Sequence, residues 1–345
     1  MNLLSLNPKN IEKYNKFIYE SEISEIYHTL GWMNVTKNTY NFKPLYFLSE
    51  ENDEFSCVFN LFEVNGLLKG KRLISIPFSH SVPIISKNDF IKKESINNLL
   101  STLSNKYNYI EFRDNIKDFS ENVTISNENC ISVVSIKDFK SSDEYFKSLA
   151  DTNKRNIKKA IKNIEIKIGN SVEDYENFYK IIRQTRTRQG SPLYPKKLFS
   201  EIHSELNKET LIFNAFHNNR LCASIMIFYH NNKALYSYGG SFDNPEAILQ
   251  RPMNLLLWEA IKYSFNQQHS VFDLGSAPKF HTGLINFKKQ FTQNIYDIPT
   301  SVIHCKKQKS IKRDGSLGKI VSFVIRKSPE WVNEMIGPSL LKEGV

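Results

Sequence analysis

The chain has 345 residues, 40% of them hydrophobic and 24% charged, a balance that excludes a disordered polymer and suits two globular cores of ~150 residues each. Its formal net charge is +10, from 46 lysines and arginines against 36 acidic residues, which bears on anionic partners rather than on fold. The longest apolar runs, such as residues 225–228, fall far short of the ~20 needed to cross a bilayer.

The first residues carry no apolar stretch followed by a small-residue cleavage site, so a cytoplasmic location is expected. Cys57, Cys130, Cys222 and Cys305 are widely separated and form no C-x-x-C pair. Neither a disulfide framework nor a zinc site has its spacing, and a protein without metal is expected.

In chain order, apolar periodicity predicts helices over residues 11–19 and 24–32. β-rich runs at 44–48, 55–63 and 72–76 predict three strands, followed by a polar loop, a helix near 90–103 and a strand at 109–113. Residues 142–164 read as helical, with Phe146, Leu149, Ile157, Ala160, Ile161 and Ile164 at near-helical spacing and a break at 151–153. Gly169 allows a turn, and helices follow over 172–189, stopped by Gly190-Ser191-Pro192, and over 195–206.

Strands at 211–216, 221–229 and 234–239 are divided by Asn218-Asn219 and Asn231-Asn232, residues that tolerate the positive φ of tight hairpins. A helix over 252–267 then starts at Pro252. A short strand over 271–274 ends at Gly275, and a short helix (281–290) and a last strand (295–303) follow. Meander, crossover helix, strand is therefore written twice. The reading is two α/β halves, residues 1–140 and 141–305, with 306–345 as a basic linker and tail. Two segments, 154–167 and 306–313, concentrate positive charge and suit either a solvated surface or a phosphate-bearing partner. Scattered apolar residues in the tail (Phe323, Trp331, Met335, Ile336, Leu340) suit packing against the body or peripheral membrane contact; Pro329 and Pro338 limit the helix length.

This element order resembles the GNAT acyltransferase fold in tandem, with mixed sheets. Arg155-Asn156-Ile157-Lys158-Lys159-Ala160 resembles the basic helix opening the second half of Fem-type (FemAB) aminoacyltransferases and their exopolysaccharide-associated relatives. Tyr236-Ser237-Tyr238-Gly239-Gly240-Ser241 is similar to the strand and turn before their crossover helix, and the stretch from Pro252 to Ile261 to that helix. Phe272-Asp273-Leu274-Gly275, then Gly283-Leu284 with Phe287-Lys288 and Phe291, resemble the following strand and a G-L-x-x-F-K-x-x-aromatic signature. Ile76-Pro77-Phe78-Ser79 and Gly337-Pro338-x-Leu340 match more loosely. Thr292 stands where relatives commonly have glycine, and no paired heptads suggest the coiled-coil arm of some Fem enzymes.

The resemblance implies transfer of an acyl or aminoacyl group to an amine of a small-molecule or lipid-linked cell-envelope or polysaccharide precursor. Acyl-CoA and aminoacyl-tRNA both stand as donors, which makes tRNA a partner on one reading. No nucleophile elbow or convincing cysteine motif occurs, so direct transfer is the simpler chemistry. A GNAT enzyme holds the CoA pyrophosphate on a glycine-rich loop at the crossover helix. Residues 249–254 contain no glycine, and Pro252 has no N–H, which weighs against CoA here.

Lys288 is the leading catalytic candidate, for donor contact or charge stabilisation, against a solvated lysine beside Lys289. Tyr238 would donate a proton or line the acyl pocket, or be a core aromatic. Asp273 would act as base, or cap a turn. Arg155, Lys158, Lys159 and Arg251 would meet phosphates. Asn254 would cap its helix or orient substrate, His281 would titrate near neutrality or merely open a helix, and Phe287 completes the substrate-binding set. The competing reading is a catalytically degenerate GNAT-like module that binds RNA or an anionic surface through its basic helices.

Overall fold

The structure is a computed structural model and describes residues 6–66, 69–120, 122–305 and 315–344. It divides into two compact units: residues 1–128 with 298–317 and 338–345, and residues 129–297 with 318–337.

In the first unit, α1 (Ile11–Glu20) and a 3-10 turn (Ile26–His28) precede α2 (Leu30–Tyr40). The helix expected at 24–32 therefore starts later and runs further. Thr29 fixes the start, its hydroxyl accepting the Trp32 N–H, and Asn41 ends the helix in the left-handed region at φ 57°. The strands β1 (Lys43–Glu51), β2 (Glu54–Gly66) and β3 (Gly70–Ser75) form an antiparallel meander, with the short β4 (Ile85–Ser86) beside β2. The crossover helix α3 (Asp89–Leu103) then leads to β5 (Tyr109–Phe112), parallel to β3, and a late strand, Ile295–His304, pairs antiparallel with β5. Ile91, Ile96 and Leu99 of α3 close one core together with Phe59, Leu61, Leu73 and Phe112. The guanidinium of Arg72, fully buried, donates to the carbonyls of Gly70 (3.2 Å) and Lys342 (2.9 Å). Its charge thus meets the negative end of the last helix.

The second unit repeats the plan. β6 (Val123–Ser135) was not expected as a strand; its sequence, VTISNENCISVVS, is polar for half its length. Next come α4 (Ser142–Ser148) and α5 (Asp151–Ile161), so the break in the expected long helix falls at Leu149-Ala150. β7 (Glu165–Gly169) stands where only a turn was expected, antiparallel to β8. The helices α6 (Val172–Gln189) and α7 (Lys196–Leu206) follow. Then β8 (Thr210–His217), β9 (Arg220–His230) and β10 (Lys233–Ser241) form the meander, with Asn218, Asn219, Asn231 and Asn232 at φ 50°, 59°, 43° and 57°. These are the left-handed pairs that the asparagines suggested.

A short α8 (Pro245–Leu249) leads into the crossover helix α9 (Pro252–Asn266). β11 (Val271–Pro278) lies parallel to β10 and antiparallel to β6, and α10 (Thr282–Lys288) completes the unit's sequence of elements; β12 (Ile295–His304) is the late strand that pairs with β5. Leu255, Leu256, Leu257, Trp258, Ala260 and Ile261 are all buried, so α9 is apolar on nearly every side. It packs on the sheet on one side and meets α4 on another, where Phe146 lies 4.9 Å from the Trp258 ring. At ~1.5–3 kcal/mol for each large apolar side chain, this helix anchors the unit.

The tail forms α11 (Gly315–Lys327) and α12 (Glu330–Gly344). In this unit Ile325 and Asn333 are buried, and Arg183 pairs with Glu334 at 3.1 Å. A side chain at Gly337 would put its Cβ 2.6 Å from the carbonyl oxygen of Leu193, which accounts for glycine at that point of the Gly337-Pro338 motif. No helix among the described residues is long and apolar enough to cross a membrane. The basic run at 306–313 lies outside the described residues.

Candidate active site

In the second unit β10 and β11 pair over only three positions. Their parallel register runs Lys233↔Val271, Ala234↔Phe272, Leu235↔Asp273 and stops there, although β10 continues to Ser241 and β11 to Pro278. Both strands are irregular beyond that point: β10 shifts register against β9 between Tyr236 and Tyr238, and β11 against β6 between Asp273 and Ser276. Gly275 carries the turn of β11 at φ 77°, a conformation that glycine adopts without cost. Backbone groups freed from a ladder must find other partners. The expected end of the strand at Gly275 is thus a bulge inside a longer strand.

Lys288 supplies those partners. It lies at the end of α10, is 3% exposed, and donates from Nζ to the carbonyl oxygens of Gly275 (2.6 Å) and Ser276 (2.9 Å). It is therefore not a solvated companion of the exposed Lys289. Burial pushes its pKa from 10.5 down to about 8, opposed by the negative charge of Asp273 and by Cys130. Asp273 stands at the last position of β11 that pairs with β10, and its Oδ1 accepts the Gly275 N–H at 2.7 Å. One residue, Gly275, is thus held at its N–H by the carboxylate and at its carbonyl by the ammonium.

A polar triad backs this arrangement. Asn254 is 5% exposed and does not cap α9; its amide donates to Asn153 Oδ1 (2.8 Å) and Gln290 Oε1 (3.1 Å). The capping expectation fails because position 254 lies inside the helix, and its side chain points at α5 and the end of α10. Asn153 donates in turn to the Gln290 carbonyl at 2.9 Å, and Tyr145 to that of Phe291 at 2.8 Å. Sequence reasoning passed over Asn153, Gln290 and Tyr145; the fully buried Asn153 two positions before Arg155 was read there only as a helix break.

The remaining candidates separate. Arg155, Lys158 and Lys159 are exposed on α5, the same helix that Asn153 ties to α10. Arg251 is exposed at the start of α9 in the left-handed region, φ 62°. His281 occupies the position before α10, exposed, with its ring edge-on to Phe280. Phe287 is half-buried against Phe291. Tyr238 is 7% exposed, its ring packed edge-on against Tyr194, Phe199 and Phe228. It is a core aromatic by packing.

Residues 70–297, about two thirds of the chain, match the FemAB-like family, described as peptidoglycan biosynthesis/recognition. The chain belongs to that family. Its class of activity is acyl transfer. Among relatives of this FemAB-like chain is the UDP-N-acetylmuramoylpentapeptide-lysine N(6)-alanyltransferase of Weissella viridescens, 21% identical over 329 residues, spanning 85% of this chain and 93% of the relative. The crystal structure of FemX superposes with a TM-score of 0.68 at 13% identity, over 93% of this chain and 100% of the other. A tandem GNAT protein from the clavulanic acid biosynthesis pathway superposes at 0.54 and 5% identity, over 89% and 99%. The two-unit GNAT-like fold is therefore shared.

Asparagine at position 273 retains an oxygen able to accept the Gly275 N–H but removes the charge that supports the Lys288 ammonium. Asp273→Asn is expected to keep the fold and move the alkaline limb of the pH–rate profile down by about one pH unit. An unmoved limb would show that this carboxylate does not act through Lys288.

Proposed function

We propose that this FemAB-like enzyme transfers an aminoacyl group from aminoacyl-tRNA to a primary amine of a peptide-bearing cell-wall precursor, directly and with no acyl-enzyme. The observation that carries the choice of donor is the start of α9. Gln250 and Arg251 donate their N–H groups to the carbonyls of Ala247 and Ile248, and Asn254 and Leu255 donate theirs to Arg251; Pro252 has none. Of residues 250–255, five are thus unable to cradle a pyrophosphate. Acyl-CoA recognition depends on such a cradle, whereas a tRNA is held over a wide basic surface, to which Arg155, Lys158, Lys159 and Arg251 contribute. Use of charged tRNA places the reaction in the cytoplasm.

The relative's acceptor, the N6 amine of a lysine in a muramoyl pentapeptide, supports a peptide amine over a sugar amine. In the reaction, the deprotonated amine attacks the ester carbonyl and a C–N bond forms. Negative charge gathers on the carbonyl oxygen, the ester C–O bond breaks, and the amine proton ends on the ribose oxygen. Two N–H bonds of Lys288 are committed to Gly275 and Ser276, which fixes the direction of the third. We assign that third N–H to the charge developing on oxygen, and Asp273 to keeping Lys288 protonated. His281 and Phe287 would shape the acyl and acceptor pocket.

Calorimetry separates the donors. A non-hydrolysable alanyl-tRNA is expected to bind saturably and to be competed by uncharged tRNA, with no heat from CoA. Saturable CoA binding and none with tRNA would overturn the assignment.

A further inference from the structure

The helix that carries Lys288 is seven residues long, too short to be stable on its own. Its first turn, from Thr282 to Leu284, is exposed, and nothing lies within 4 Å of a Cβ added at Gly283. Its anchorage is at the other end. Three successive residues after Lys289 are each tied to a different element. Asn153 of α5 donates to the Gln290 carbonyl, Tyr145 of α4 donates to the Phe291 carbonyl, and the Thr292 hydroxyl donates to the Val133 carbonyl of β6 at 2.8 Å. The N–H groups of Phe291 and Thr292 donate in turn to the Lys288 carbonyl at 2.9 and 3.3 Å. The backbone of Lys288 is thus fixed by this clamped segment, and its Nζ by the bulge of β11.

Asn254 closes the clamp. Of the side chains that α9 buries, two are polar, Asn254 and Ser264. Ser264 directs its hydroxyl to the Ala260 carbonyl of its own helix at 2.9 Å. Asn254 reaches outward instead, giving its amide hydrogens to Asn153 and to the Gln290 side chain. A buried amide on an apolar helix adds little net stability, because desolvation offsets its hydrogen bonds. What a fully paired buried network fixes is geometry. We propose that Asn254, with Asn153 and Tyr145, is a positioning residue that aims the Lys288 ammonium and acts on the transfer only through it. This inference rests on the role given to Lys288 above.

A double-mutant cycle tests it, read as single-turnover transfer from alanyl-tRNA to a lysine-bearing UDP-muramoyl pentapeptide. Asn254→Ala is expected to lower the maximal rate about 10- to 100-fold, at an unchanged half-saturating concentration of the peptide. In the Lys288→Met background the same change should cost less than about twofold, because the group it aims is gone. A merely structural role predicts the same fold loss in both backgrounds. Tyr145→Phe keeps the ring stacked on Trp258 at 6.3 Å and removes only the hydroxyl, so it serves as the second variant should Asn254→Ala fold poorly. It is expected to lose about tenfold in the wild-type background and nothing further beside Lys288→Met. Equal losses in the two backgrounds, or a wild-type rate from both Asn254→Ala and Tyr145→Phe, would overturn the inference and leave Lys288 in place. A wild-type rate from Lys288→Met alone would overturn the role of Lys288, and this inference with it.

Discussion

Replacing Lys288 by methionine is expected to lower the transfer rate about 10²- to 10³-fold, the usual loss when one donor to a developing oxyanion is removed. At pH 7 the same change should leave the stability of the fold nearly unchanged. On folding, the Lys288 pKa drops from 10.5 to about 8, chiefly through burial, a penalty of about 3 kcal/mol at neutral pH. Methionine removes that penalty and forfeits the hydrogen bonds from the ammonium to Gly275 and Ser276, each about 1.5 kcal/mol for a charged donor. The two contributions therefore roughly cancel at neutral pH. Between pH 8 and 10.5 the unfolded wild-type chain retains a proton that the folded chain has released, so wild-type stability rises with pH across that window. The variant should therefore become the less stable of the two across that window. Wild-type activity should fall as pH passes about 8, where the ammonium loses its proton. Urea unfolding and single-turnover rates from pH 6 to about 10 read both effects. A variant that keeps its rate would remove Lys288 from the chemistry.

The second large effect is expected at Gly275. Its φ of 77° is strained for any L side chain, and an added Cβ would lie 2.5 Å from the Tyr236 carbonyl oxygen and 3.9 Å from Lys288 Nζ. Gly275→Ala should cost about 2–4 kcal/mol in urea unfolding and lower activity as well, because the displaced backbone carries the carbonyls that aim Lys288. Gly283 is the control. It lies inside α10 with nothing within 4 Å of an added Cβ, so Gly283→Ala should gain up to about 1 kcal/mol. Equal stability losses at the two positions would contradict the bulge as the source of the effect.

Most of the architecture was legible because local chemistry and tertiary packing agree in it. The asparagine pairs at 218–219 and 231–232 demand left-handed turns, and Pro252 ahead of a long apolar stripe demands a helix start. Elements failed to announce themselves where that agreement is missing. β7 is five residues with mostly exposed side chains, and β6 alternates polar residues that read as loop. Their strand conformation comes from neighbours that pair with them.

The site divides in the same way. A lysine between two phenylalanines, and an aspartate closing a strand, marked Lys288 and Asp273 as candidates. What holds Lys288 was invisible, since its partners are backbone carbonyls exposed by a bulge, and backbone groups have no signature of their own in a sequence. Asn153 and Gln290 were missed for a related reason. Each is an ordinary polar residue on a polar stretch until folding brings both against Asn254. Tyr238 shows the converse: its neighbours Gly239 and Gly240 drew attention to a residue whose ring packs in the core.

The central claim is direct aminoacyl transfer aided by a buried ammonium. Its most direct test is a single-turnover reaction between alanyl-tRNA and a lysine-bearing UDP-muramoyl pentapeptide, with product and protein both weighed by mass spectrometry. The account predicts an alanylated peptide, protein of unchanged mass at every time point, and loss of product with Lys288→Met. An acyl-enzyme on the path, or undiminished product from that variant, would contradict it.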